Sequence, residues 1–176
     1  MSEVATARPI FQIFQRLEEC AEREDFASLL AELDASASRD ATAPAGDVEA
    51  NQALVRRYFE MWNTGDRTEA DAVLGPTYLD HAHPSVVGPA AVRSLVRRFR
   101  SENPDAGMAA EIVACDARYV IVRRAIRWRA RRTIEPCGIA LFRVTAGQLA
   151  EQWSWSPAAR RESSPPERAG VLRNYF

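Results

Sequence analysis

The chain contains two histidines, His81 and His83, which are two positions apart. The pKa of histidine lies near neutrality, so an imidazole that faces an apolar cavity can take up and release a proton. Alternate residues of an extended segment share a face, which places both histidines on one side and Asp80 on the other, as a surface or capping residue. We predict His81 as the first candidate for a general base and His83 as the second. The alternative is a structural His81 bonded to the end of a neighbouring strand.

Two histidines on one face could also bind a metal ion. A zinc site takes three or four protein ligands, and no third ligand is evident here, since Pro84 begins a loop. We therefore predict no metal and no other cofactor. The three cysteines, Cys20, Cys115 and Cys137, show no CxxC spacing, so neither a zinc knuckle nor a disulfide framework is predicted. We interpret Cys137 as a small core residue.

The composition limits the class of protein. The chain has 176 residues, of which 47% are hydrophobic and 27% charged, as expected for one globular domain with a small extension. The 23 basic residues, all arginine, balance 24 acidic residues to a net charge of -1, which argues against nucleic-acid binding. The N-terminus has no basic segment followed by an apolar run, and no stretch reaches the length of a membrane span. We expect a cytoplasmic protein without a membrane anchor.

The sequence divides into three parts. Residues 1–47 form an N-terminal extension, with helical spacing over 9–33, as one helix or as two with a break near Asp25, followed by a linker. Residues 48–156 form the main domain. Residues 157–176 contain three prolines and several charges, which is typical of a loose tail.

The main domain changes its period halfway along. Its first half predicts three helices around one short strand: helices over 48–63, 67–74 and 89–103, and the strand over 77–81. Its second half predicts four strands joined by tight turns: 108–114, 118–132, 134–144 and 149–155. Helices followed by antiparallel strands indicate an α+β fold, with the helices packed on one face of a curled sheet.

The long strand over 118–132 has two different faces. Alternation places Val120, Val122, Ile126 and Trp128 together on a face suited to line a pocket. The other face carries several arginines, and we interpret it as solvated or as facing a second subunit rather than as an anion site.

Several segments resemble those of a known family. The first is the helix NQALVRRYFEMWNTGD over 51–66; the others are YLDH over 78–81, GPAAVR over 88–93, NPD over 103–105 and the hairpin FRVTAGQLAEQW over 142–153. In this order and spacing they resemble the SnoaL-like polyketide cyclases, a branch of the nuclear transport factor 2-like fold. The resemblance implies a cone-shaped curled antiparallel sheet packed against helices, to which this chain adds an N-terminal helical segment.

The resemblance also implies a pocket at the open end of the cone. Flat aromatic side chains can bind a polycyclic ligand by stacking, although aromatic residues can equally fill a core of this size. In SnoaL-like cyclases a histidine at the position of His81 faces the ligand, and related steroid isomerases have a carboxylate base near this point. The predicted substrate-binding residues are Tyr58, Trp62, Tyr78, Phe99, Trp128, Phe142 and Trp153. Trp128 and Trp153 are the preferred pair, and Trp155 is a further aromatic candidate.

Two positions depart from the family pattern. The family's cyclases typically carry an acid/base Asp where this chain has Ala140, and often a His where it has Gln152. The remaining titratable groups near a cavity include Glu135 and Glu151, which we interpret as solvated strand charges. A further alternative is an epoxide hydrolase or hydroxylase of the same fold. An epoxide hydrolase would need a carboxylate pair bridged by Arg, and the long strand has no Arg-x-Asp.

The sequence thus predicts a small enzyme without metal or organic cofactor. The predicted reaction is cyclisation or isomerisation of a hydrophobic, polyketide-like metabolite by proton transfer. The predicted assembly is a homodimer formed through the sheet, as the resemblance implies. A non-catalytic binding or interaction module is the competing class, because Ala140 cannot transfer a proton.

Overall fold

The N-terminal part of the chain is a pair of helices. The computed structural model describes residues 4–37 and 46–156. Helix α1 spans Val4–Arg23 and helix α2 spans Phe26–Ala37. Glu24 has a left-handed φ of 55°, and Asp25 Oδ1 accepts a hydrogen bond from the backbone N–H of Ser28, 3.2 Å away. Of the two alternatives left open by the sequence, two helices with a break near Asp25 are confirmed. Helix α2 continues into the segment predicted as a linker, and the tail over 157–176 lies outside the described residues.

Helix α3 spans Val48–Thr64 and begins the main domain. The Asp47 carboxylate caps it by accepting a hydrogen bond from the backbone of Glu49 at 2.8 Å. Gly65 ends it with a φ of 77°, a left-handed conformation that glycine adopts without a side-chain clash. The predicted start and end of this helix are therefore confirmed to within one residue.

Two further helices follow. Helix α4 spans Ala70–Val73 and is shorter than the predicted helix. Helix α5 spans Gly88–Glu102 and carries Pro89 in its first turn, where the missing N–H of proline costs no helical hydrogen bond.

Within the described residues, five strands form one curled, unclosed sheet: β1 (Leu74–Asp80), β2 (Ala106–Cys115), β3 (Tyr119–Trp128), β4 (Thr133–Thr145) and β5 (Gln148–Trp155). The order across the sheet is β1-β5-β4-β3-β2. The pairs from β2 to β5 are antiparallel, as predicted, but β1 pairs parallel with β5. β1 also begins earlier than predicted, and it holds Pro76 because an edge strand can lack one N–H donor.

The concave face of the sheet packs against α3, α4 and α5 and forms the main hydrophobic core. Val122 of β3 and Ala140 of β4 are paired neighbours on this face, and both are fully buried. Asn63 at the end of α3 bridges to the backbone of Met108, donating to its C=O at 3.0 Å and accepting from its N–H at 2.6 Å. These contacts fix α3 on the sheet and therefore fix the side chains that it sends inward.

The convex face of the sheet is covered by α1 and α2. Leu17 of α1 and Leu29 of α2 belong to the same buried cluster as Ile121, Leu141 and Trp153 of the sheet. The predicted homodimer through the sheet stays a prediction. Helices α1 and α2 occupy the sheet face that was proposed for its contact.

None of the helices in residues 4–37 and 46–156 combines the length and the apolar character needed to cross a lipid bilayer.

Candidate functional site

A group of polar side chains lies inside the concave face, and we call it the polar cluster: Tyr58, Tyr78, Asp80, Arg124 and Gln152. Each of its members is at most 5% exposed. Gln152 Oε1 accepts hydrogen bonds from the hydroxyls of Tyr58 at 3.1 Å and Tyr78 at 2.7 Å. The cluster therefore joins α3, β1, β3 and β5 in one site.

The carboxylate of Asp80 belongs to this cluster. Asp80 is in parallel register with Gln152, so its side chain lies on the concave side of the sheet. Its Oδ2 lies 3.1 Å from Nδ1 of His83, and its Oδ1 accepts a hydrogen bond from the N–H of Ala82 at 2.9 Å. The expected surface position of Asp80 is wrong, although its capping role is confirmed.

His83 is the exposed partner of this pair. Its side chain is 22% exposed, against 7% for that of Asp80. The chain turns directly after β1, where the N–H of His83 donates to the C=O of Asp80. An imidazole whose Nδ1 is held by a carboxylate is fixed in orientation and can exchange a proton through Nε2. The pair can therefore act as a carboxylate and imidazole couple.

Burial keeps both tyrosines protonated. The pKa of Tyr58 is raised to about 12, mainly by burial and further by the negative charge of Asp80. Burial also raises the pKa of Tyr78 well above its ordinary value of 10.0. Both hydroxyls therefore stay hydrogen-bond donors at neutral pH.

Arg124 is the residue that the sequence reasoning missed. It is 1% exposed, and burial lowers its pKa, while the nearby Cys137, Tyr58 and Asp80 act in the opposite direction. The alternation that placed Val122 and Ile126 on the inner face also places Arg124 there. The signal was therefore present in the sequence, in a strand whose other arginines lie mainly at the surface.

His81 lies on the convex side of the sheet. Its ring stacks on Trp153 with centroids 4.5 Å apart and an interplanar angle of 11°, and its Nε2 lies 2.9 Å from Oε2 of Glu151. The expectation that His81 faces the cone is wrong, because it is Asp80 that shares a face with Gln152. The prediction that His81 acts as a base therefore has no geometric support. The contacts of His81 with Glu151 and Trp153 of β5 fit the alternative, a structural histidine bonded to a neighbouring strand.

The predicted aromatic residues divide between the two faces. Trp153 lies on the convex side, which corrects its predicted place in the pocket, and Trp155 packs against the same convex cluster. Trp128 is partly buried against the concave core, with the guanidinium of Arg131 5.7 Å from its ring centroid. The remaining five are buried in the concave core: Tyr58, Trp62, Tyr78, Phe99 and Phe142.

These five side chains pack closely. Tyr58 meets Phe142 edge to face at 5.2 Å between ring centroids, and Trp62 meets Phe99 at 5.6 Å. Phe99 and Phe142 are both 0% exposed. The aromatic rings therefore fill this part of the cone, and their role in substrate binding stays a prediction.

Two cavities in the described part of the chain lie outside this aromatic packing. One of about 280 Å³ lies between α3, β2 and β3, and its polar and charged lining residues include Glu60, Asn63 and Arg127. The other cavity, of about 620 Å³, is more open and runs along α5. Val86 and Leu95 are among its apolar lining residues, and Arg98 is among its charged ones.

Glu151 connects His81 to Arg143 on the convex side, where its carboxylate bonds to both. Burial would raise the pKa of Glu151, but the hydrogen bonds from His81 and Arg143 lower it below its ordinary value of 4.5. A carboxyl whose folded-state pKa is depressed stabilises the fold above its unfolded-state pKa and loses that contribution as the pH falls through the folded-state pKa.

We expect Glu151→Gln to lower the free energy of unfolding by about 1–2 kcal/mol near pH 7, because charged hydrogen bonds are lost. The difference from wild type should shrink in acid, at a pH well below the ordinary carboxyl pKa of 4.5, where the wild-type carboxyl also becomes protonated. Urea unfolding at both pH values measures this effect, with the exposed Glu135→Gln as the control. A deficit of equal size at both pH values would contradict this assignment.

The described residues contain no group of three or more His, Cys, Asp or Glu side chains that could hold a metal ion. Cys20, Cys115 and Cys137 are free thiols, and Cys137 is buried in the concave core as interpreted from the sequence. Burial is the largest effect on the Cys137 thiol and raises its pKa, so it is poorly suited to act as a nucleophile.

An unclosed curled sheet with helices on its concave face, enclosing a buried polar cluster, defines a cone-type α+β domain. Residues 55–152 match the family described as the SnoaL-like domain. Since the match covers more than half of the chain, the chain belongs to this family, and the predicted resemblance is confirmed.

Solved structures with a similar fold agree with this assignment. TsrD from Streptomyces laurentii is 22% identical, with a TM-score of 0.54 over 64% of this chain and 92% of its own. A nuclear transport factor 2-like protein of unknown function from Mesorhizobium loti is 17% identical, with a TM-score of 0.51 over 64% and 95%. A candidate SnoaL-like polyketide cyclase from Jannaschia sp. CCS1 is 16% identical, with a TM-score of 0.50 over 68% and 92%. At these identities the likeness concerns the fold alone, and no curated protein matches the chain in sequence.

Proposed function

We propose that this protein is an enzyme that moves a proton within a hydrophobic, polyketide-like metabolite, leading to isomerisation or ring closure. The observation that carries the proposal is the buried carboxylate of Asp80, held by His83 at 3.1 Å beside two protonated tyrosines. The fold shared with a candidate polyketide cyclase supports the substrate class.

The proposed reaction begins at a carbon next to a carbonyl group. The carboxylate of Asp80 takes the proton, the C–H electron pair forms a C=C bond, and the carbonyl oxygen becomes an enolate oxyanion. Return of the proton to another carbon gives an isomer. Alternatively, the enolate carbon attacks a second carbonyl carbon of the same molecule and closes a ring; the electron pair of that C=O bond moves to its oxygen, which takes the proton back from Asp80. Neither route requires a redox partner.

The surrounding residues suit this chemistry. An apolar wall of aromatic rings excludes water and so strengthens electrostatic interactions in the site. A site lined by rigid rings can also hold a flexible substrate in one reactive conformer, which is a large part of catalysis in intramolecular reactions. The rings inside the cone, such as Tyr58 against Phe142, are closely packed, so a substrate would have to displace part of this packing to bind there.

Deuterium exchange tests the proposed proton transfer without knowledge of the natural substrate. The bicyclic ketone 2-tetralone, in D2O with the protein, should exchange its α-hydrogens faster than in buffer alone, as followed by proton NMR. We expect His83→Gln to reduce this protein-dependent rate about tenfold, since the carboxylate loses its orienting partner but remains in place.

His81→Gln is the matched control, because it removes the other histidine of the chain from the convex side. It should leave the exchange rate unchanged. A loss of exchange in His81→Gln with none in His83→Gln would return the function to the histidine first predicted and reject the site proposed here.

A binding module without catalysis is a second candidate. It is favoured by Ala140 at the position where family cyclases carry an acid/base residue, and by the closely packed rings inside the cone. The absence of protein-dependent exchange with 2-tetralone and a set of related aryl ketones, in protein that binds them, would favour this candidate.

A further inference from the structure

A guanidinium group is placed among apolar side chains on the concave face of β3. Arg124 is buried in the same row as Val122 and Ile126, both of which are 0% exposed. Removing a cation from water is costly unless nearby groups compensate for the lost hydration. An apolar residue would suit this core position better if packing were its only requirement.

The strand opposite Arg124, β4, has an irregular backbone. The pairing of β3 with β4 shifts register between Arg124 and Ala125, and Arg124 stands opposite Gly138. Gly138 has a φ of 101°, and a side chain there would collide with the backbone oxygen of Trp155. The extra residue of this bulge, Cys137, lies in β4, so β3 keeps its regular alternation and directs Arg124 to the concave face together with Val122 and Ile126.

Besides the thiol of Cys137, the electrostatic neighbours of Arg124 are groups that we assign to the reaction. Asp80, Tyr58 and Tyr78 all interact with its charge. The proposed proton transfer moves one negative charge from the Asp80 carboxylate to an oxygen of the substrate. A guanidinium beside the carboxylate can stabilise this charge before and after the transfer, because it is fixed in place and needs no reorganisation.

We propose that Arg124 is a catalytic residue that stabilises the enolate oxyanion formed when Asp80 removes a proton from the substrate. This inference rests on the proposed function and specifies the substrate as an enolisable carbonyl compound whose oxygen binds next to the guanidinium. The tyrosine hydroxyls are neutral donors, so Arg124 provides the positive charge that the oxyanion requires.

A purely structural ion pair with Asp80 is the alternative role for Arg124. The two roles differ once Asp80 is made neutral. If the role is a structural ion pair, Asp80→Asn abolishes it. If the role is oxyanion stabilisation, the site remains in Asp80→Asn, because the neutral asparagine resembles Asp80 after it has taken up the proton. Asp80→Asn is therefore the background in which the two roles can be separated.

The probe is 4-nitrophenol, a planar aryl alcohol whose phenolate form absorbs at longer wavelength than the neutral form. It should be bound to Asp80→Asn protein at the pH where the free probe is half ionised. We expect the ratio of bound phenolate to bound phenol to exceed that of the free probe about tenfold or more. Adding Arg124→Met should remove this excess, while adding Arg56→Met, an exposed arginine of α3, should not.

Arg124→Lys in the same background keeps the charge without the planar fork of donors, and it should retain part of the phenolate excess. Far-ultraviolet circular dichroism and urea unfolding confirm that each protein is folded. If Arg124→Met does not fold, the phenolate excess in Arg124→Lys is the deciding measurement. The inference is overturned if folded Asp80→Asn protein binds the probe without phenolate excess, or if the excess survives in Arg124→Met. Since ionisation of the probe involves no turnover, this result is independent of whether ketone exchange is observed.

Discussion

Asp80→Asn should reduce protein-dependent deuterium exchange of 2-tetralone by about 100- to 10,000-fold, the usual contribution of a positioned general base. Asparagine has nearly the same shape and can still accept the hydrogen bond from the N–H of Ala82 at its Oδ1. It cannot take up a proton at neutral pH. The measurement is the initial exchange rate by NMR, corrected for the rate in buffer.

Asp116→Asn is the matched control for this substitution. Asp116 also caps a turn, accepting hydrogen bonds from the N–H groups of Arg118 and Tyr119 at 2.7 Å, but it lies at the β2-β3 hairpin. We expect its exchange rate to equal that of wild type. If Asp80→Asn keeps the wild-type rate while the protein exchanges ketone protons, Asp80 is not the base.

Gly138→Ala should be the most destabilising single exchange of a glycine in the sheet. An added Cβ would lie 2.0 Å from the backbone oxygen of Trp155 and 2.8 Å from Cα of Ser156, in addition to the strain of a φ of 101°. Backbone atoms cannot rotate away as a flexible side chain can, so the end of β5 must move. We expect a loss of about 3 kcal/mol or more in the free energy of unfolding, measured in urea.

Gly147→Ala provides the comparison for Gly138→Ala. Gly147 also has a positive φ, of 74°, but an added Cβ would meet no atom within 4 Å. Its cost should be only the conformational strain, about 1 kcal/mol. If the two variants lose the same free energy of unfolding, the close approach of β5 to Gly138 does not contribute to the cost of Gly138→Ala.

The fold could be predicted to a large extent because its elements differ in period. The helical and alternating patterns, the cap at Gly65 and the break near Asp25 were all present in the sequence, and each is confirmed. The position of α1 and α2 on the convex face could not be predicted, because an apolar stripe on a helix does not specify the surface that it will contact.

The candidate site proposed here lies in the segment singled out from the sequence, but on the opposite face of β1 from His81. Alternation correctly placed Asp80 and His81 on opposite sides of β1, yet only the pairing of β1 with β5 decides which side is concave. His83 leaves the face of His81 because the chain turns after β1, and its contact with Asp80 depends on that turn. A parallel pairing between distant segments is a tertiary feature that period alone does not reveal.

That same parallel pairing has a consequence for how the polar cluster assembles. Tyr78 and Gln152, whose side chains bond inside the cone, are 74 positions apart, whereas β2 to β5 are joined as consecutive hairpins. Closing so large a loop is entropically slow compared with forming local hairpins. Assembly of the carboxylate beside the tyrosines should therefore be among the last events of folding, after the hairpins have formed and the chain has been synthesised through β5.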